Sequence, residues 1–344
     1  MTSTWQAFLL ERHAFFDGGT VRHFGDAASE LLAARDDGII APLDHLGLIA
    51  CKGNDAQSFL HGQLTNDVEH LEPEQSQYAG YCSAKGRLLA NFLVWRQGDI
   101  YWLQLARTLL PAIQQRLTRF VLRAKVNLAQ ASESHAAIGL AGSGAAAALG
   151  ELFGALPQQA HALVRHPSHG SLIALPGERF QLVANLDAAI RLWDRLAAVL
   201  RPIGASGWEW LEICNGLPWI TPATQEQFAP QMANLDLLGA VSFQKGCYPG
   251  QEIVARTRYL GEIKRRMALA HVDAGTTPEP GDALYSAELE GQSSGMVVNA
   301  QPAPGGGCDL LAVIPTSSLR SGGVHLGSAD GPRLQIRPLP YALA

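Results

Sequence analysis

The first 240 residues of the chain show two periodic patterns of hydrophobic residues. Short apolar stretches that stop at Gly, Asn or Asp are typical of strands, whereas apolar residues three and four positions apart are typical of helices. Residues 109–120 show the helical pattern, because Leu110, Ile113 and Leu117 fall on one side of a helix. These patterns predict strands at 39–43, 46–51, 78–82, 88–96, 100–105, 136–140, 171–175 and 180–183, and helices at 55–64, 109–120, 145–153 and 188–200.

These predicted elements occur in two successive sets of similar length. Residues 38–130 and 131–240 each read as a β-α-β-type half, which favours two duplicated α+β modules over one uninterrupted parallel sheet. Residues 1–37 stand apart from both halves. Their stretch 26–35 is helix-like and flanked by glycines, which predicts a loosely attached helical lead-in.

The pattern changes again in residues 267–344. Short alternating segments are separated there by turns such as Glu279-Pro280-Gly281. This is typical of an all-β barrel or sandwich. The sequence therefore predicts an α+β chain with a C-terminal β-barrel.

Composition and charge exclude several classes of protein. The chain is 47% hydrophobic and 17% charged, which is typical of a globular protein, and its net charge is −5. A dedicated nucleic-acid binder would normally be basic. No stretch approaches the ~20 apolar residues of a membrane span, and the N-terminus has neither the basic region nor the cleavage site of a signal peptide. We expect a cytoplasmic protein without membrane association or stable nucleic-acid binding.

Cysteine usage points the same way. The five cysteines are Cys51, Cys82, Cys214, Cys247 and Cys308. Their number is odd and no CxxC occurs, so the spacing suits neither a disulfide framework nor a preassembled metal site. We expect reduced thiols and no metal.

Positive charge is concentrated in residues 241–266, which hold six basic and two acidic residues. Within this segment Cys247 precedes Pro249-Gly250, a pair that fits a type II turn with positive φ at glycine. Nearby Lys and Arg favour the thiolate, which is the nucleophilic form. Gln251 and Glu252 follow and could hold the loop or a polar ligand. Two interpretations of Cys247 stay open from the residues alone, an accessible reactive thiol and a small buried filler.

The same segment carries a recognisable motif. Lys245-Gly246-Cys247-Tyr248-Pro249-Gly250-Gln251-Glu252, followed by Val254-Ala255-Arg256, closely resembles the K-G-C-Y-x-G-Q-E signature of the YgfZ family, a branch of the folate-dependent aminomethyltransferase superfamily. Residues 55–67, 82–87, 230–235 and 338–341 also resemble the family. The likeness covers roughly residues 38–344.

The resemblance implies a fold and a function. It implies an aminomethyltransferase-type fold with two ferredoxin-like halves and a barrel, arranged around an opening that holds tetrahydrofolate or a one-carbon derivative. Family members support the assembly, repair or activity of iron–sulfur enzymes, notably a radical enzyme that methylthiolates tRNA. Carried over to this chain, Cys247 is the functional thiol at the mouth of the folate cavity, and Lys245 and Arg256 are its charged neighbours.

The folate site implied by the resemblance departs from the family pattern in places. Trp208 aligns with a tryptophan that lies on the folate, and an indole is suited to stack on a pterin. A second folate-side tryptophan of the family is Leu46 here. Cys214 stands where the aminomethyltransferases have an acid beside the pterin, and Glu212 could substitute for it. Asn91 replaces the aspartate that assists one-carbon transfer, and a carboxamide cannot serve as a general acid or base near neutral pH.

The predicted function is therefore a tetrahydrofolate-binding protein that serves iron–sulfur client or assembly proteins through an activated cysteine. Two alternatives stay open: a folate-dependent one-carbon transferase, and a non-catalytic interaction module stabilised by folate. Residues 142–147 also fit G-x-G-x-x-A, but residues 160–164 lack the acid that a dinucleotide site requires about 20 positions further on. A capped, Ala-rich core helix is the favoured interpretation there.

Overall fold

The chain consists of a lead-in, two α+β halves and a C-terminal antiparallel sheet. The computed structural model describes residues 3–259, 263–273, 275, 277–286, 292–321 and 323–343. Residues 260–262 of the predicted signature segment lie outside the described residues.

The lead-in packs firmly into the fold, so the prediction of loose attachment is wrong. It comprises helix α1 (Thr4–Leu10), strands β1 (Phe15–Asp17) and β2 (Thr20–His23), and helix α2 (Ala27–Asp36). A reciprocal capping box of Ser3 and Gln6 starts α1. Trp5 of α1 packs edge-on against Trp193, with ring centroids 5.7 Å apart. Burial of such aromatic area holds the segment in place.

The two halves repeat one order of elements. After strand β3 (Ile39–Pro42), the first half contains β4 (Leu46–Lys52), α3 (Ala56–Gln63), β5 (Ser76–Cys82), β6 (Leu88–Gln97), β7 (Ile100–Ala106), α4 (Leu110–Arg119) and β8 (Asn127–Gln130). The second contains β9 (His135–Ala141), α5 (Ala145–Phe153), β10 (Leu163–His166), β11 (Gly170–Leu175), β12 (Arg179–Asn185), α6 (Leu186–Leu196) and β13 (Arg201–Pro202).

The sheets repeat as well. The first has the order β5-β6-β7-β4-β8 and the second β10-β11-β12-β9-β3-β13. Strand β3 is thus inserted between β9 and β13, so residues 39–42 pair with the second sheet although they precede the first half in the chain. The duplicated α+β fold predicted from the sequence is confirmed.

The third unit is a curled antiparallel half-barrel. Helices α7 (Ala205–Cys214) and α8 (Gln251–Tyr259) precede it, followed by β14 (Arg265–Val272), β15 (Ala283–Ser286), β16 (Ser293–Pro302), β17 (Cys308–Pro315), α9 (Thr316–Ser321), β18 (Val324–Leu326) and β19 (Gln335–Arg337). Its strand order is β18-β15-β16-β17-β14-β19. The predicted C-terminal β unit is therefore present.

Helix α7 joins the units and positions the site. Trp208 is buried against the second sheet, whereas the Trp210 indole N–H donates to Asp309 of β17 at 2.9 Å. The hydrophobic pattern of the sequence does not predict this helix, because the apolar residues of α7 fall on several sides of it. Helix α7 also contacts α2 and β2 of the lead-in and β16 and β17 of the half-barrel, so it is central to the packing.

Candidate functional site

A cavity of about 470 Å³ lies where the lead-in, helix α7, the first half and the half-barrel meet. Its size is within the range of roughly 300–1,000 Å³ that small-molecule sites occupy. The wall includes Arg22 of β2, His45 just before β4, Leu46 of β4, Glu209 and Glu212 of α7, Trp219, and Asn299 of β16. Residues from distant parts of the sequence thus form one chamber.

Two carboxylates of α7 differ in how they are satisfied. Glu209 accepts a hydrogen bond from Gln301 Nε2 at 2.7 Å. Glu212 is 4% exposed, and its Oε2 has no hydrogen-bond partner among the described residues. An unpartnered buried carboxylate oxygen is costly unless a ligand or water supplies a donor.

An indole that the sequence analysis missed lines the cavity. Trp219 is buried, and its backbone is held by Asn299, whose Oδ1 accepts from the Trp219 N–H at 2.9 Å and whose Nδ2 donates to the Trp219 carbonyl at 3.0 Å. The segment 217–221 carries no regular secondary structure. Neither a hydrophobic period nor a sequence motif therefore identifies Trp219 as a cavity residue.

Asn91 of β6 hydrogen-bonds to the backbone on both sides of Trp219. Its Nδ2 donates to the Pro218 carbonyl at 2.8 Å, and its Oδ1 accepts from the Ile220 N–H at 2.9 Å. Both ends of the carboxamide are thus used by the backbone that carries Trp219. In this chain Asn91 is a buried clamp and does not line the cavity.

Trp208 does not line the cavity, contrary to the position expected for a folate-stacking residue. It is fully buried, and a Cβ on Gly139 of β9 would lie only 2.5 Å from its ring. The guanidinium carbon of Arg179 lies 5.0 Å from the ring centroid on another side. The cavity-lining positions 209, 212 and 213 centre on a different side of α7, which turns Trp208 toward the second sheet.

Of the other expected folate-side residues, Leu46 and Glu212 line the cavity and Cys214 does not. Cys214 is half-buried at the end of α7. Burial raises the pKa of its thiol to about 12. It therefore stays protonated at neutral pH and cannot take the place of a carboxylate.

The signature segment forms a second surface, away from the cavity. None of its described residues lines the cavity, so Cys247 is not part of the cavity wall, and its expected position at the mouth of a folate cavity stays a prediction. Cys247 is nevertheless exposed, and it is the only exposed one of the five cysteines, all of which the structure describes. The interpretation as a buried filler is therefore excluded.

Lys245 anchors the signature segment. Its ammonium donates to the carbonyls of His61 and Leu64 at the C-terminal end of α3, the second at 2.6 Å. Cations are favourable beside the free carbonyls of a helix C-terminus. Burial lowers the pKa of Lys245 to about 8, against the opposing charges of Asp67 and Glu69. Its amine is thus occupied by structural contacts to α3.

A glycine contact fixes the turn that follows Cys247. Gly250 has φ +80°, as the sequence predicts, and a Cβ on it would lie 2.5 Å from the Ser83 carbonyl oxygen. Helix α8 begins directly afterwards with Gln251 and Glu252. Arg256 in the last turn of α8 is exposed, so this helix presents positive charge at the surface.

Among the described residues, no group of three or more His, Cys, Asp or Glu side chains is arranged to hold a metal ion. No helix in the described part of the chain combines the length and apolar character needed to cross a bilayer.

Comparison with known proteins adds to this geometry. Residues 5–166 match the GCVT N-terminal domain family. The chain is 35% identical over 304 residues to the tRNA-modifying protein YgfZ of Klebsiella pneumoniae (strain 342), which covers 88% of this chain and 92% of the relative. The protein of the same name from Photorhabdus laumondii is 34% identical over 305 residues, with the same coverage of both chains.

A solved structure shares the fold. The glycine cleavage system aminomethyltransferase T from Bartonella henselae superposes with a TM-score of 0.81 at 17% identity, covering 97% of this chain and 96% of that one. The predicted aminomethyltransferase-type fold is confirmed.

Proposed function

The chain belongs to the family of the tRNA-modifying protein YgfZ, and on that premise we propose that it binds tetrahydrofolate in the cavity and supports iron–sulfur enzymes through the thiol of Cys247. The two parts of this function use the two separate surfaces described above. Tetrahydrofolate and the protein client therefore approach the chain from different places.

The buried Glu212 carboxylate, whose Oε2 makes no hydrogen bond among the described residues, is the observation that carries the folate part. The pterin ring of tetrahydrofolate presents an N–H and an amino group side by side, and a carboxylate accepts from both. Trp219 supplies a flat apolar wall for the ring. Arg22 and Arg107, which also line the cavity, suit the carboxylates of the glutamyl tail.

Calorimetry with tetrahydrofolate under anaerobic, reducing conditions tests this part. We expect Glu212→Gln to weaken binding about tenfold or more, because a charge-assisted contact to a buried donor is lost. Glu209→Gln is the matched control from the same helix and wall. Since Glu209 already has Gln301 as a partner, its substitution should change affinity much less. Equal effects of the two variants would contradict the assignment.

The exposed thiol of Cys247 supports the second part. The other cysteines are buried or half-buried. Burial raises the pKa of the Cys51, Cys82 and Cys214 thiols to about 12, so these are unreactive at neutral pH. Arg256 and Arg258, which are exposed on the helix that follows Cys247 in the chain, suit a partner with an acidic surface. We propose an iron–sulfur protein of tRNA modification in the cytoplasm as that partner, without stable binding of nucleic acid.

A one-carbon transferase is less well supported by these contacts. Its chemistry needs a general acid or base beside the folate. Asn91, at the position of the expected aspartate, spends both ends of its amide on Pro218 and Ile220.

Complementation of a strain that lacks the protein tests the role of the thiol. Cys247→Ser should abolish the gain in methylthiolated tRNA, whereas Cys214→Ala should leave it intact because that thiol is half-buried. A fully active Cys247→Ser protein would exclude the thiol mechanism and favour a folate-stabilised interaction module.

A further inference from the structure

His45 is a cavity residue to which the proposed function so far gives no role. Its side chain is 9% exposed, and neither ring nitrogen has a hydrogen-bond partner among the described residues. The residue lines the cavity. Since buried polar atoms almost always have partners, a ligand group is the natural candidate for the missing one.

Charged groups from several elements lie around His45. Glu209 and Glu212 approach from α7, Asp44 precedes it in the same loop, and Arg22 and Arg107 lie in the same wall. Burial by itself favours the neutral imidazole, but the charges of Glu209, Glu212 and Asp44 outweigh it and raise the pKa of His45. A protonated imidazole is a donor at both nitrogens.

His45 also lies beside the unpartnered carboxylate. Its Nε2 is 3.9 Å from Glu212 Oε2, too far for a hydrogen bond between them. The cavity wall therefore holds a donor and an acceptor at ion-pair distance, and neither the His45 ring nitrogens nor Glu212 Oε2 makes a hydrogen bond among the described residues. A lactam edge, in which a carbonyl oxygen stands beside an N–H, satisfies both groups at once.

We infer that His45 is a specificity residue that donates to the 4-oxo group of a bound pterin while Glu212 accepts from the neighbouring N3–H. This inference rests on the proposed folate site and adds the recognition of one ring edge. It requires the imidazole to turn about its χ2 bond toward the ligand.

The geometry discriminates between two classes of pteridine. A 4-oxo compound offers His45 an acceptor, whereas a 2,4-diamino compound places an amino group against the imidazolium. The 4-amino class should therefore bind more weakly. Affinity for the 4-oxo class should also fall as pH rises, because the deprotonated imidazole carries no charge and one donor fewer.

Calorimetry with tetrahydrofolate and its 4-amino analogue tests the inference on the wild-type protein. We expect the 4-oxo compound to bind at least roughly tenfold more tightly, with the preference shrinking as the pH rises through the raised pKa of His45. His45→Phe should remove both the preference and its pH dependence. His70→Gln, at a histidine whose side chain is 82% exposed, is the control and should change neither. Thermal melting checks that the variants fold.

The outcomes separate this inference from the proposed function. If wild type binds both compounds equally at every pH, or if His45→Phe keeps the preference, the role of His45 is wrong and the folate site stands. If wild type binds neither compound, the folate site and the role of His45 are both overturned.

Discussion

The polar groups of the cavity wall and those of the signature turn differ in burial and in hydrogen bonding. Glu212 and His45 are buried in the cavity wall, and atoms of both side chains lack a hydrogen bond within the described part of the chain. At the signature turn Lys245 has its partners in the carbonyls of α3, and Cys247 is exposed. Unsatisfied groups in a chamber suit a small ligand, whereas a well-anchored exposed thiol suits a partner that arrives from outside.

A physical connection exists between the two regions. The Ser83–Gly86 turn that packs under Gly250 leads into β6, and Asn91 of β6 holds the segment that carries Trp219. The two regions thus contact β6 and the turn that precedes it at different positions. Substitutions on either side should nevertheless have separable effects.

The largest expected effect distinguishes the two tryptophans. Trp208→Ala should lower the free energy of unfolding by about 3–5 kcal/mol, because it leaves a large void against the second sheet. Trp219→Ala should cost less stability, since its ring borders an existing cavity, and should weaken folate binding instead. Denaturant unfolding together with calorimetry measures both. The opposite assignment of the two effects would restore Trp208 as the folate platform.

A smaller effect is expected at the signature turn. Gly250→Ala should destabilise the protein by about 1–3 kcal/mol, because the residue has positive φ and its Cβ would collide with the Ser83 carbonyl. Gly246→Ala is the matched control, since its Cβ would meet only His61 Nε2 at 3.5 Å. Equal stability of the two variants in urea would mean that the turn is not fixed in this way.

The smallest expected effect is on the pH dependence of stability, and it has opposite signs in the two regions. Burial raises the pKa of Asp44, behind the cavity, from 3.8 to about 6. The native state therefore binds more protons than the unfolded state between these values, and stability falls as pH rises through them. Asp44→Asn should stabilise the protein near neutral pH by on the order of 1–2 kcal/mol and have little effect near pH 4.

Asp67, close to Lys245, should behave in the reverse way. Burial raises the pKa of Asp67, but hydrogen bonds from His70 outweigh this and lower it overall. Its stabilisation is present above the unfolded pKa and is lost as pH falls through the folded one. Asp67→Asn should therefore destabilise at neutral pH and converge with wild type in acid. Urea titrations across pH compare the two variants, and a shared sign would contradict the contrast.

The sequence predicts more of the fold than of the site, for physical reasons. Strands and helices with a clear period, such as β6 and α4, occur within a few residues of their predicted bounds. Helix α6 begins two residues before the predicted 188 because the Asn185 side chain accepts from the Ala188 N–H. Short strands such as β8 and β10 are too brief to show a period.

The site depends on contacts that no local pattern carries. The motif marks Cys247 and the turn at Gly250, because both lie within one short stretch of chain. It does not reveal that Lys245 serves the end of α3, nor that Trp219 rather than Trp208 lines the cavity. Those facts depend on the packing of α7 between three units, which sequence spacing alone does not determine.

The central claim is that folate binding and the thiol reside in separate places, and calorimetry with tetrahydrofolate on three proteins tests it most directly. We expect wild type and Cys247→Ser to bind with the same affinity and Trp219→Ala to lose binding. Loss of binding in Cys247→Ser, or unchanged binding in Trp219→Ala, would contradict the account.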